Sequence, residues 1–240
     1  MCFSHFYLAS NSRGYFMGTN MFEKDYCNAF PFWDKLTDSY RELLCRSTVH
    51  KNYKHGENIH GGSGECTGCI IVKSGCIRTY MLSDEGREIT LYRLYPGDIC
   101  VLSASCVLDA ITFDVMVDAD TDCDCLILNS KAFYEISEHN IYAKNFALET
   151  AVERFSDVMW VMQQILFMSF DRRLAIFLTD ELARNGGDTV KLSNEQIAKY
   201  MGSAREVVSR MMKYFTAEGI VERTHSGVKI LNKEKLRSLT

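Results

Sequence analysis

Residues 193–212, SNEQIAKYMGSAREVVSRMM, hold two helix starts and one helix stop. Ser193 with Gln196, and Ser203 with Glu206, both fit the S-x-x-[EQ] capping box. In that motif a hydroxyl accepts from the backbone N–H three residues on, and the longer side chain reaches back to the cap. Gly202, directly before the second Ser, supplies the left-handed backbone position that ends a helix. Ile197, Met201, Val208, Met211 and Phe215 give the two helices apolar faces to lock together. The pattern predicts a helix-turn-helix whose second helix runs from Ala204 to about Glu218.

Downstream, GIVERTHSGVKIL (219–231) reads as two short strands around His225-Ser226-Gly227, a wing beside the second helix. Upstream, DRRLAIFLTDELARNGG (171–187) reads as a helix capped by Asp171 and ended by Gly186 and Gly187. The MSFD segment (168–171) before it breaks the preceding pattern and is the expected hinge.

From about Ser137 to Met168 the apolar period is helical. Leu148, Val152, Phe155, Met159, Met162 and Leu166 recur at alternating spacings of four and three, a heptad seam. Ala151, Val158 and Ile165 form a second stripe beside it. One broad core-facing stripe is the ordinary reading of an amphipathic helix. The strict alternation instead favours one stripe on the chain's own body and the other on a second copy. From about Thr48 to Asn129, short β-branched and aromatic runs alternate with turn signals (KSG, SDEG, YPGD), as in a small antiparallel sandwich or barrel. PFWDKLTDSYRELL (31–44) reads as a short amphipathic helix, with Trp33, Leu36, Tyr40 and Leu43 on one face.

The expected organisation is α+β. Residues 1–30 form a tail, either disordered or lying before a true start at Met21. Residues 31–136 form a domain built around the sandwich or barrel, 137–168 a dimerisation helix, and 169–240 a winged helix-turn-helix. No basic leader precedes an apolar block, and no apolar run reaches membrane-span length, so a cytoplasmic protein without membrane association is expected. The net charge of −4 is unevenly spread. From Asp171 onward there are 13 Lys+Arg against 9 Asp+Glu, a balance of +4; the first 170 residues hold 14 against 22, a balance of −8. An acidic body with a basic end suggests that the end meets a polyanion.

The second helix would then present Arg205, Glu206, Ser209, Arg210 and Lys213. Arg pairs bidentately with guanine and Glu accepts from cytosine N4, so Arg205, Glu206 and Arg210 are the candidate base readers. Ser203, Ser209 and Lys213 are candidate phosphate contacts, which position without specifying. The competing reading is a solvated face stabilised by an i,i+4 Glu/Arg pair.

Two stretches, IVKSGCIRTYMLSDEGREITLYRLYPGD (71–98) and GSAREVVSRMMKYFTAEGIVERTHSGVKI (202–230), resemble the cyclic-AMP receptor protein and fumarate-nitrate-reduction regulator (CRP/FNR) family. The resemblance runs from about Phe32 to Leu239. It implies a cyclic-nucleotide-binding-like β-roll, a long dimerisation helix and a C-terminal winged helix-turn-helix. It also implies a homodimer on a DNA palindrome with TGTGA-like half-sites, RNA polymerase as a partner, and no enzymatic activity. Arg205, Glu206 and Arg210 match the base-reading positions of the receptor-protein branch.

The sensor half departs from that branch. The Gly-Glu pair for a ribose is not recognisable after YPGD, and the Arg-containing phosphate stretch has no candidate. From Leu94 to Ser130 there is neither Lys nor Arg, while seven Asp occur. A buried phosphate needs charge-assisted donors, so the effector is not expected to be a cyclic nucleotide. DADTDCD (118–124) resembles the start of a calcium loop but lacks the later Gly and Glu, and a solvated hairpin turn is expected instead.

Ten cysteines are many for a chain without an export signal. Cys66, Cys69 and Cys76 stand at C-x2-C-x6-C, with Cys100 and Cys106 among the possible further ligands. The spacing is close to that of the family's iron–sulfur members, which place theirs in an N-terminal extension. Small buried fillers of the roll are the first expectation. An iron–sulfur cluster or another metal is the second, and reversible oxidation of an exposed pair such as Cys100 and Cys106 the third. Cofactor and effector stay open at this level. A cyclic-nucleotide-binding regulatory subunit and a cysteine-based redox enzyme fit less well. The first lacks its arginine clamp, and the second lacks a C-x-x-C on a strand-to-helix turn.

Overall fold

The computed structural model describes residues 25–61, 67–101 and 115–240. Eight strands form two four-stranded antiparallel sheets. The first contains β1 (Thr48–Tyr53), β3 (Cys69–Ser74), β6 (Ile99–Cys100) and β8 (Cys123–Leu128), in the order β1-β8-β3-β6. The second contains β2 (Asn58–His60), β4 (Ile77–Leu82), β5 (Glu88–Leu94) and β7 (Met116–Ala119), in the order β2-β7-β4-β5.

The two-residue period of a strand sorts side chains between two cores. Ile70, Val72, Cys125 and Ile127 point between the sheets, where they meet Ile77, Leu91 and Val117. Cys69, Ile71, Leu126 and Leu128 point the other way, onto Phe30, Trp33, Leu44, Phe133 and Ile136.

The helices on that outer face differ from the expected ones. Residues 31–44 are not one helix. A 3-10 turn, Trp33–Lys35, precedes α1 (Asp38–Arg46), because Thr37 restarts the helix by accepting from the Tyr40 N–H at 3.4 Å. Likewise the helical stretch begins before Ser137 and is divided. α2 (Ser130–His139) is capped by Asn129, and α3 (Ile141–Phe167) by Asn140, which accepts from the Tyr142 and Ala143 N–H groups. Asn140 also donates to the Lys35 carbonyl at 3.0 Å, which fixes the break against the tail of the preceding turn.

DADTDCD is a turn, as expected, but not a hairpin: it carries the chain from β7 in one sheet to β8 in the other. Its carboxylates are occupied. Asp118 lies 3.8 Å from the buried Arg78 guanidinium, Asp122 accepts from Lys54 Nζ and the His55 N–H, and Asp124 pairs with His50. Asp120 accepts from the Tyr200 hydroxyl.

After α3, α4 (Phe170–Asn185) starts at Ser169, with Asp171 in its first turn rather than at the cap. The Ser169 hydroxyl hydrogen-bonds the Asp171 carboxylate and holds its pKa below the usual range. The helix ends at Gly186 with φ +70. Then come β9 (Thr189–Val190), α5 (Asn194–Met201), α6 (Arg205–Ala217), β10 (Val221–Thr224), β11 (Gly227–Ile230) and α7 (Lys233–Arg237). The three strands form a small sheet ordered β10-β11-β9. Leu174, Leu178, Ile197, Val208, Met212, Phe215 and Val228 make a separate core for this end. Among the described residues no helix is long and apolar enough to cross a membrane.

Candidate nucleic-acid interface

The capping box at Ser193 is present in full: the Ser193 hydroxyl accepts from the Gln196 N–H, and the Gln196 amide oxygen accepts from the Ser193 N–H. Gly202 ends α5 with φ +59, and the Ser203 N–H closes back on the Ala198 carbonyl at 2.9 Å. The box expected at Ser203 does not form. Ser203 is part of the α5 termination, the cap falls on Ala204, and no side chain satisfies it. Glu206 is then the second residue of α6 rather than the third, too early for the reciprocal contact.

That start gives α6 its exposed face. Val208, Met212 and Phe215 are buried, and Arg205, Glu206, Arg210 and Lys213 are exposed with Ser209 half-buried. Arg205 and Ser209, one turn apart, open onto a cleft of about 390 Å³ against the wing, lined also by Arg223, Thr224, His225 and the α5 start. Glu206, Arg210 and Lys213 continue the face along the helix at i, i+4 and i+7. Ser203 stands elsewhere, in a groove with Gly86, Arg87 and Glu88 of the β4–β5 turn. Arg223 and His225 are additional polar groups of the cleft. Their place in the wing, Arg223 on its first strand and His225 at its turn, was visible in the sequence, although their direction was not.

Among the described residues, the cysteines named from the sequence face different parts of the roll. Cys66 and Cys106 lie outside the described residues. Cys69 faces the helices and Cys100 the space between the sheets. Cys76, between β3 and β4, is buried against the β7–β8 turn, where burial and then the Asp120 charge push its thiol up to about 12. Cys125, inside the roll, is pushed up to about 12 by burial. No group of three or more His, Cys, Asp or Glu among the described residues is arranged to hold a metal.

The six seam residues of α3 are exposed on one side: Val152, Phe155 and Leu166 are each more than 60% exposed. Val158, of the second stripe, packs on the core between the sheets.

A β-roll carried by a long helix onto a winged helix-turn-helix defines a DNA-binding transcription regulator. The description "Crp-like helix-turn-helix domain" matches residues 172–239, and "Cyclic nucleotide-binding domain" matches residues 50–140. A chain from Eubacterium rectale ATCC 33656, assigned as a transcriptional regulator of the CRP/FNR family, is 42% identical with a TM-score of 0.83. The match covers 88% of this chain and 98% of that one. The "Transcriptional activator protein anr" of Pseudomonas aeruginosa is 25% identical over 210 residues, 84% of this chain and 83% of its own length. The "Nitrogen fixation regulation protein FixK" of Rhizobium meliloti is 26% identical over 192 residues, 78% of this chain and 85% of its own. The chain belongs to the CRP/FNR family of transcription regulators.

Proposed function

We propose that two copies of the chain pair along the exposed seam of α3 and read a DNA palindrome of TGTGA-like half-sites. Arg205, Glu206 and Arg210 take the base edges, and Ser209 and Lys213 take phosphates; Ser203, in the groove with the β4–β5 turn, is left out of this set. The observation that carries this reading is the α6 face itself, charged, solvent-open and flanked by the wing cleft. The uncovered apolar seam supports the pairing, because six large apolar side chains on one helix face are stabilised by about 1.5–3 kcal/mol each when fully buried. The chain then acts in the cytoplasm on promoter DNA, with RNA polymerase as its further partner and no catalysis of its own.

The effector acts at the roll and is not a cyclic nucleotide. The Arg-free run from Leu94 to Ser130 supports this, since it leaves a phosphate without a guanidinium. A thiol or cluster trigger has less support: Cys69, Cys76 and Cys100 are buried. Fluorescence anisotropy with a TGTGA-N6-TCACA duplex tests the reading, with light scattering for the dimer and calorimetry for cyclic AMP. Expected are selective binding over a scrambled duplex, a dimer mass and no heat. Equal binding to the scrambled duplex overturns the site reading, and a micromolar cyclic-AMP dissociation constant overturns the effector reading.

A further inference from the structure

Between β5, the second half of α3 and the first half of α4 lies a cleft of about 450 Å³. That is within the size range of small-molecule sites. None of its walls comes from β3, β6 or β8, so it is separate from the interior of the roll. Aromatic surface enters from three directions: Tyr92 from β5, Trp160 from α3 and Phe177 from α4.

The cleft is also rich in arginine. Arg93 and Arg184 both belong to the carboxylate of Glu181, which is 3% exposed. The other two guanidiniums are less satisfied. Arg173 donates from Nη2 to the Met201 carbonyl at 2.7 Å, and among the described residues no carboxylate lies within ion-pair distance of it. Its Nε is buried without an acceptor. Burial and then the neighbouring Arg87 charge disfavour its charged form. Arg154 gives Nη1 to Asp157 at 2.8 Å, has Glu153 3.7 Å from Nη2 and lies over the Tyr92 ring, while its Nε is buried without an acceptor. An unsatisfied buried donor costs roughly 1–3 kcal/mol, and more on a charged group. Both guanidiniums line the one aromatic cleft, Arg154 from α3 and Arg173 from α4, and that of Arg173 has no carboxylate to balance it among the described residues.

We propose that this cleft binds a small organic anion with an aromatic body. Arg154 and Arg173 take the anionic group, and the ring lies among Tyr92, Trp160 and Phe177. A bare inorganic anion would leave the aromatic walls uncovered, and a neutral aromatic would leave the guanidinium donors unmet.

The position gives the ligand leverage. Its walls come from the roll, the long helix and the hinge-proximal helix of the DNA-binding end. These parts are already joined around the cleft. Arg93 pairs with Glu181, the Tyr200 hydroxyl donates to Asp120 at 2.8 Å, and Arg87 donates to the Gly202 carbonyl at 2.6 Å. A ligand bridging α3 and α4 favours this docked arrangement over others and so alters DNA affinity. This coupling rests on the DNA-binding reading above; the binding itself does not.

The probe is 8-anilinonaphthalene-1-sulfonate, an aromatic anion whose fluorescence rises in apolar sites, compared with its neutral analogue N-phenyl-1-naphthylamine on the full chain. Expected is saturable binding of the sulfonate, with the neutral analogue weaker by about tenfold or more. Arg154→Gln and Arg173→Gln should each weaken sulfonate binding by a similar factor while far-UV circular dichroism stays unchanged. Equal affinity for the two probes on the wild-type chain overturns the proposal without recourse to any variant. So does undiminished sulfonate binding by both folded variants, since the probe would then sit elsewhere, such as on the α3 seam. The palindromic duplex is titrated with and without saturating sulfonate, and a changed affinity is expected. Sulfonate binding with unaltered DNA affinity removes the coupling and keeps the site. Failure of the probe-free protein to bind DNA counts against the DNA reading alone.

Discussion

Gly202 is the residue on which the helix-turn-helix closes. Its φ of +59 lies in the left-handed region, and a Cβ there would stand 3.3 Å from Ile89 Cγ1 and 3.4 Å from the Glu88 carbonyl oxygen. Gly202→Ala therefore adds backbone strain of about 1–2 kcal/mol and presses on the β4–β5 hairpin. The urea midpoint should fall accordingly; an unchanged midpoint would mean that the turn is not built as described. The glycine was legible in the sequence because its requirement is local. Ser193 was legible for the same reason. Ser203 misled because the same S-x-x-E string is consumed by the preceding helix end, whose Ser203 N–H bonds to Ala198. Which of two overlapping local motifs prevails is decided by the packing of α5 on α6, and no capping rule contains that. One turn further on, Arg210→Ala should weaken palindrome binding by about 1–3 kcal/mol and relax discrimination at one base pair of each half-site. Competition with single-base variants of the duplex reads this directly. Uniform weakening at all positions would make Arg210 a phosphate contact instead.

Among the elements, α3 was the most legible and its start the least. A 4-3 apolar alternation is a property of the helix surface, so the sequence alone places Leu148, Val152, Phe155, Met159, Met162 and Leu166 on one face. The break at Asn140 could not, because it depends on an amide that caps α3 with its oxygen and holds Lys35, 105 residues away, with its nitrogen. If the seam is the dimer interface, the two Phe155 side chains of a two-fold pair lie near one another at its middle. Phe155→Glu then places two carboxylates in an apolar seam, where charge burial costs several kcal/mol unless paired. Sedimentation at micromolar protein should show the variant as a monomer with its helical content retained. A variant that stays dimeric would move the interface off this face. The strands of the roll were legible as a texture of β-branched runs and turns. Their assignment to two sheets was not, since the acidic stretch 118–124 that joins β7 to β8 reads as a hairpin and instead crosses between sheets.

Across the molecule, the acidic body and basic end were plain from composition, whereas the contacts holding them together were not. Arg93 and Glu181 are 88 residues apart, Asp120 and Tyr200 80, Arg87 and Gly202 115. No periodicity links such positions; only the folded chain does. These ties keep the −8 body against the +4 end, so DNA must be met by a locally basic face on a chain of net negative charge. Binding should then be steeply salt-dependent, because each phosphate neutralised releases condensed counterion and contributes about 0.9 to the slope of log K against log salt. With Lys213 as the α6 cation on a phosphate, two-fold pairing on the duplex gives α6 a contribution of about −2 to that slope. Lys213→Ala is the sharper test. It removes one cation per protomer, and on a two-fold complex the slope should fall by about 2 with the rank order of half-site variants unchanged. A fall of about 1 would mean that a single protomer engages the duplex. An unchanged slope would take Lys213 off the phosphate backbone and turn the exposed end of α6 away from the DNA.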